Sequence, residues 1–270
     1  MPELPEVELA ARRLREWLVG CRVTHVETDD ALLLRGASAA DWHAALAGRC
    51  GRAVRRRAKY LLADFEGGHT LVAHLRMTGR FLRESGDAAP PPGARLFLRL
   101  EDGSRLTFQD RRRLGQAWVL PTPAVESLPQ LASLGPDTLE EPPSAPALMA
   151  LTCGRRQSIK ALLMDQRRLS GLGNICAGEI LFRARIAPEM PAGQLSEAEI
   201  ARLAELIPEY LRWAIEAQSR HDPVYLGERG AVNVFSLYGR RGEPCPACGE
   251  AIRRTVIAGR GTYYCPRCQG

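Results

Sequence analysis

Near the start of the chain, Val7, Ala11, Leu14 and Leu18 recur three and four residues apart, with mostly charged residues between them. That spacing lines one face of a helix, Pro5 suits its first turn, and Gly20 can end it. Beyond Gly20 the period shortens. β-Branched and aliphatic runs occupy Arg22 to Glu27, Ala53 to Phe65, Thr70 to Leu75, Leu96 to Leu100, Arg105 to Phe108 and Gln116 to Leu120. Turn signals such as Glu66-Gly67-Gly68 and Glu101-Asp102-Gly103 separate them, which predicts hairpins in a sandwich or barrel. A helix from about Ala39 to Leu46 interrupts the strands.

Seven prolines between Pro121 and Pro146 predict a linker rather than a packed element. After them the period is helical. Ser158 to Gln166 reads as a short helix. Ser170-Gly171-Leu172-Gly173-Asn174 then turns the chain, and Asn174 is placed to cap a second helix to about Ala184. Ser196 with Glu199 predicts a capping box for a longer helix through about Ala217, striped by Ile200, Leu203, Ile207, Leu211 and Ile215 and kinked at Pro208. Free amides at the glycine turn form an anion site of the kind that takes a phosphate. Strands first and helices afterwards give an α+β, multidomain class.

Charge narrows the partners. The 270 residues carry a formal charge of +6 and an isoelectric point near 9.0, as expected of a chain that meets a polyanion. Of 37 basic residues only Lys59 and Lys160 are lysines, and each follows a run of arginines. An ammonium can release its proton where a guanidinium cannot, so these two positions are candidates for chemistry. The opening is acidic and has no apolar signal segment, and no apolar run reaches the length of a membrane span, so a cytoplasmic protein is expected.

Cysteine spacing is more specific. Cys245-Pro-Ala-Cys248 and Cys265-Pro-Arg-Cys268 have the spacing of a four-thiolate zinc ribbon around a hairpin-length insert, Gly249 to Tyr264. Two disulfides are the weaker reading in a chain without an export signal. Cys21, Cys50, Cys153 and Cys176 are expected to be reduced and partly buried. Residues 239–270 hold six arginines against two glutamates, a net +4 suited to a nucleic-acid backbone.

Five segments together carry a resemblance: Pro2-Glu3-Leu4-Pro5-Glu6-Val7-Glu8, Arg57-Ala58-Lys59-Tyr60-Leu61-Leu62, His74-Leu75-Arg76-Met77-Thr78-Gly79, Gly171-Leu172-Gly173-Asn174-Ile175 and the terminal finger. In order and spacing the chain resembles the formamidopyrimidine-DNA glycosylases from its second residue nearly to its last. The resemblance implies an N-terminal catalytic β-sandwich domain with a leading helix (1–120), the Pro-rich linker (121–147), a helical DNA-binding domain with a helix-two-turn-helix module (148–235) and a four-cysteine zinc finger (236–270). It implies a monomer acting on damaged double-stranded DNA in the cytoplasm, associated with the nucleoid and with no membrane. One structural zinc on Cys245, Cys248, Cys265 and Cys268 is the implied cofactor.

The implied reaction excises oxidised purines, 8-oxoguanine and formamidopyrimidines, then nicks both sides of the abasic sugar by β,δ-elimination. Pro2 is the Schiff-base nucleophile, Glu3 a proton donor, Lys59 the general acid on the β-elimination side and Arg260 the acid or phosphate clamp in δ-elimination. Met77, Arg112 and Leu114 correspond to the side chains that fill the gap left by a flipped nucleotide. Arg155, Lys160 and Asn174 match DNA-contacting positions. The chemistry is also legible in the residues: removal of Met1 leaves Pro2 a secondary amine with a pKa near ~8, more often neutral than a lysine near ~10.4. Attack on C1′ then yields an iminium that is cationic without protonation.

Three departures stand out. Leu114 replaces an aromatic wedge residue. A DNA-contacting histidine is missing, with Gly93 or Arg95 near its place. The stretch from Gln218 to Phe235, including Ser219-Arg220-His221-Asp222-Pro223, is shortened where relatives cover the flipped base. Two alternatives follow: an endonuclease VIII-like glycosylase for oxidised pyrimidines, and a catalytically silent zinc protein that binds damaged DNA.

Overall fold

The structure, a computed structural model, describes residues 2–28, 30–220, 225–226, 228 and 230–270. The chain divides into two compact units, one comprising Met1–Pro2, Glu6–Ala132 and Tyr225–Glu228, the other Glu3–Pro5, Ser133–Val224 and Arg229–Gly270.

The first unit is a β-sandwich. Helix α1 (Leu4–Leu18) leads into β1 (Val23–Glu27) and α2 (Ala39–Leu46), followed by β2 (Gly51–Arg57), β3 (Tyr60–Phe65), β4 (His69–His74), β5 (Arg80–Ser85), β6 (Ala94–Leu100), β7 (Ser104–Gln109) and β8 (Gln116–Pro121). Two four-stranded antiparallel sheets result, ordered β1-β6-β7-β5 and β2-β3-β4-β8. Leu61, Leu71 and Ala73 of one sheet and Leu96, Leu98 and Leu106 of the other enter one core, to which α1 adds Val7, Ala11, Leu14 and Leu18. The three-and-four periodicity of α1 thus buries its stripe as expected, and Gly20 leaves the helix at φ 82°.

Two expectations are corrected. The run from Ala53 to Phe65 is two strands joined by a turn at Ala58-Lys59, because Ala58 takes up the left-handed region (φ 53°). Strand β5 escaped notice because only Phe81 among its residues is buried. The Pro-rich stretch, within which the chain passes from the first unit to the second between Ala132 and Ser133, also holds short packed elements. A 3-10 helix (Thr122–Ser127) and α3 (Pro129–Ala132) bury Val125 and Leu131, and Asp137, itself buried, accepts from the amides of Leu139 and Glu140. The prolines stand where no amide is needed, so they shape these turns without breaking them.

In the second unit α4 (Ala145–Thr152), α5 (Ile159–Leu163), α6 (Asn174–Ala184) and α7 (Glu197–Ser219) are followed by the hairpin β9 (Arg253–Ile257) and β10 (Arg260–Tyr264). The Ser196–Glu199 capping box forms, the whole α7 stripe is buried, and the helix runs through Pro208. Glu179 of α6 is buried and accepts from the amides of Ser236, Leu237 and Tyr238 at 2.9, 2.8 and 3.1 Å. That carboxylate ties the segment before the hairpin to the helices. No described helix is long and apolar enough to cross a membrane.

Candidate active site and nucleic-acid interface

Lys59 occupies the tip of the β2–β3 hairpin, where Arg57 pairs with Tyr60 and only Ala58 and Lys59 form the turn. The turn is braced from beneath. The Arg56 side chain, 1 % exposed, pairs with Glu8 of α1 at 3.0 Å and donates to the Ala58 carbonyl at 3.1 Å. Directly across the sheet from Tyr60 is His74, whose ring meets the tyrosine edge-on at 4.6 Å. Burial, reinforced by the positive charges of Arg76 and Lys59, pushes His74 down to about 3. The imidazole is therefore neutral, with Nδ1 accepting from the Arg76 amide at 3.0 Å, which leaves Nε2 as a donor.

Met77 and Arg112 lie on two neighbouring turns with a common anchor. Asp110 is fully buried. One carboxylate oxygen accepts from the Thr78 hydroxyl and, at 3.2 Å, from the Arg112 amide; the other accepts from the Gly115 amide at 2.6 Å and the Arg95 guanidinium at 3.4 Å. The Arg112 amide also reaches the Thr78 hydroxyl at 3.2 Å. Glycine is required at both turns, because a Cβ at Gly79 would lie 2.5 Å from the Leu75 carbonyl and one at Gly115 would lie 2.9 Å from the Phe108 ring. Arg112 is exposed, Leu114 is 45 % exposed and Met77 is half-buried, so all three are presented rather than packed away. Arg95, considered as a stand-in for a DNA-contacting histidine, is instead buried beneath these turns, where it pairs with Asp30 and donates to the Gly115 carbonyl.

In the second unit the glycine turn before α6 is already filled. Glu3, 1 % exposed, accepts from the amides of Ile175 and Cys176, both at 2.9 Å, in the first turn of α6. The anion expected at this helix start is thus a carboxylate of the chain rather than a phosphate. Gly173 makes the seat possible, since a Cβ there would fall 2.2 Å from the Glu3 carboxyl carbon, and Gly171 likewise leaves room for Leu4.

Asn174 does not cap its helix, because Gly173 holds the cap position. Its amide group accepts from Lys160 Nζ at 2.8 Å and donates to the Gly261 carbonyl at 3.1 Å. Lys160, expected on a DNA-facing surface, is 1 % exposed and donates to Thr262 at 2.6 Å as well. Burial lowers it to about 8 against the opposing pull of Glu3. Arg155 is exposed, with its backbone fixed by bonds from Arg155 N to Thr152 and from Gly193 N to Arg155.

The hairpin beyond supplies the metal site. The four sulfurs of Cys245, Cys248, Cys265 and Cys268 lie within 4.8 Å of one another. Separations of 3.9 Å (Cys245 to Cys268) and 3.5 Å (Cys248 to Cys265) bracket the about 3.8 Å that ~2.3 Å zinc–sulfur bonds in a tetrahedron require. Ala258 and Gly259, both at positive φ, turn β9 into β10 and put Arg260 at an exposed corner. Of the other cysteines Cys176 is buried and Cys21 and Cys50 are half-buried, but Cys153 is exposed, contrary to expectation.

Comparison with known proteins covers the same three segments. Residues 1–117 match the formamidopyrimidine-DNA glycosylase N-terminal domain, 134–222 the H2TH domain of those enzymes, and 242–270 the zinc finger found in FPG and IleRS. Formamidopyrimidine-DNA glycosylases of Pelotomaculum thermopropionicum and Thermus thermophilus are 39 % and 42 % identical, each over 100 % of this chain and 99 % of the relative. The chain belongs to the formamidopyrimidine-DNA glycosylase family. Its fold agrees: a Lactococcus lactis Fpg crystallised with THF-DNA and an inhibitor matches at TM-score 0.90 with 31 % identity over both whole chains. MutM (Fpg) of Thermus thermophilus matches at TM-score 0.84 with 40 % identity, over 100 % of this chain and 99 % of that one.

Members of this family are base-excision-repair DNA glycosylases, and abasic-site lyase activity is typical of them. In this family member the four-cysteine finger is consistent with one structural zinc; with all four positions filled by protein, the metal adds no open site for water. The sequence alone offered no signal for Asp110 and Thr262, which hold candidate site residues in place, nor a role for His74. A lone acid or hydroxyl has no spacing signature, although Asp110 stands two residues before Arg112. Of the stretch read as shortened, His221, Asp222 and Pro223 lie outside the described residues.

Proposed function

We propose that this glycosylase excises oxidised purines from damaged double-stranded DNA through its N-terminal proline and then nicks the strand by β,δ-elimination, as a cytoplasmic, nucleoid-associated monomer. The seating of Glu3 on α6 carries the reading, because it fixes the residue next to Pro2 by two hydrogen bonds. The Pro2 nitrogen attacks C1′, the glycosidic bond breaks and the base leaves with the bonding pair. As the bond to C1′ forms, the Pro2 nitrogen gives its proton to Glu3, whose oxygens each keep a second lone pair, and Glu3 passes that proton to the ring oxygen as the C1′–O4′ bond opens to the iminium. Loss of a C2′ proton expels the 3′ phosphate, and loss of the C4′ proton expels the 5′ phosphate. Lys59, held at its hairpin tip, transfers protons in the β step. Arg260, always charged, clamps phosphate. Asn174 and Arg155 add contacts to the DNA backbone, while Lys160 acts from within by holding Asn174 and β10.

Met77, Arg112 and Leu114 fill the gap that the flipped nucleotide leaves, at a cost of a few kcal/mol of unstacking. In this reading the sandwich (1–120) supplies the lyase and wedge residues, and the helical portion (148–235) and finger (236–270) supply backbone contacts. Borohydride added during the reaction is expected to trap a covalent adduct on Pro2, and Pro2→Gly to cut trapping strongly. An adduct mapped to Lys59 by mass spectrometry would overturn the assignment.

A further inference from the structure

The segment after α7 belongs with the sandwich rather than with the helices it follows: Tyr225, Leu226 and Glu228 cluster with the first unit. Three contacts hold it there. The Tyr225 hydroxyl donates to the Gly79 carbonyl at 2.7 Å, the Arg80 guanidinium pairs with Glu228, and the same guanidinium lies 4.8 Å from the centre of the Tyr225 ring. Glu228 also accepts from the Tyr225 amide at 3.3 Å, so the segment is closed on itself before it meets β5.

What it meets is the end of the turn that carries Met77. Gly79 closes that turn by donating to Leu75 at 2.9 Å and has no room for a side chain. Thr78, next to it, is bonded to Asp110 and to the Arg112 amide. Hydrogen bonds joined through the Thr78–Gly79 peptide link therefore run from Tyr225 to both turns of the wedge. We propose that Tyr225, Leu226 and Glu228 form a strut that positions the Met77 turn, and through Thr78 and Asp110 the Arg112 turn, with Tyr225 and Glu228 as positioning residues for nucleotide eversion. The inference rests on the wedge reading above.

The contact favours a strut over a base contact. The Tyr225 hydroxyl, the polar end available to a ligand, is committed to a backbone carbonyl, and the carboxylate of Glu228 is committed to Arg80. A strut acts on opening the duplex, so its loss affects every substrate that must be unstacked and spares one that need not be.

The test uses the full-length enzyme with zinc bound and compares wild type, Tyr225→Phe and Glu228→Gln. Three substrates are cleaved under single-turnover conditions: a duplex with 8-oxoguanine, a duplex with an abasic site, and a single strand with an abasic site. A 2-aminopurine beside the lesion reports unstacking. Each variant is expected to slow both duplex reactions by the same factor, about threefold to tenfold as for loss of one hydrogen bond, to reduce the 2-aminopurine signal, and to cleave the single strand at the wild-type rate. Glu228→Gln, at a partly exposed position, guards against a folding defect in Tyr225→Phe. Slowed 8-oxoguanine excision with unchanged duplex abasic cleavage would overturn the strut in favour of a base contact. Unchanged rates on all three would also overturn it. Inactivity of the wild type on every substrate would instead strike the underlying functional reading.

Discussion

Gly173 has an ordinary extended backbone, yet it tolerates no larger residue because the Glu3 carboxyl fills the space a Cβ would need. Gly173→Ala should therefore leave the chain folded while displacing Glu3 and the start of the chain with it. Since displacement by about 1 Å can cost on the order of a hundredfold in rate, borohydride trapping should fall by about that factor while circular dichroism stays unchanged. His74 permits a test by pH. Its folded value, about 3, lies below the ordinary 6.5, so between these values the unfolded chain holds more protons. Stability from this residue is present above pH 6.5 and is lost as pH falls towards 3. His74→Gln should flatten that part of a urea-denaturation profile; an unchanged slope would show that the ring is not held neutral.

At the scale of elements, the loop from Asp110 to Gly115 is rigid beneath and open above, with Leu114 at its exposed edge. Stacking of a base on an aromatic contributes on the order of 1 to 3 kcal/mol, and a leucine cannot supply it. Leu114→Phe should tighten binding to lesion duplexes and Leu114→Ala should weaken it, with single-stranded abasic cleavage nearly constant; equal losses on both substrates would make Leu114 mere packing. Elements such as α1, α2 and α7 were legible because amphipathic period and caps are local properties of sequence. The split between β2 and β3 was not, since Ala58 adopts a left-handed conformation that its identity does not announce and that Arg56 and Glu8 hold from elsewhere in the chain. For the same reason the catalytic candidates could be named from motifs, while the burial of Lys160 and the capture of the α6 amides by Glu3 required partners far away in sequence.

For the molecule as a whole, the finger brings metal, charge and site together. Thr262 and Gly261 of β10, two residues and one residue beyond Arg260, meet Lys160 and Asn174. Cys248→Ser, or chelation of zinc, should abolish DNA binding by releasing Arg260 while the sandwich keeps its own unfolding transition; metal-free protein with full activity would contradict this. In salt titrations of DNA affinity, Arg260→Gln should lower the slope of log K against log salt by about 1 if the arginine meets one phosphate.

The bond from Glu3 to Ile175 spans 172 residues of sequence. During translation the chain's third residue leaves the ribosome long before the helix that receives it exists. A nascent chain can contain all eight strands of the sandwich and still carry no seated Glu3. Competence then arrives late and all at once, when α6 folds, so a prematurely terminated fragment that keeps the candidate residues Lys59, Met77, Arg112 and Leu114 should be unable to cut DNA.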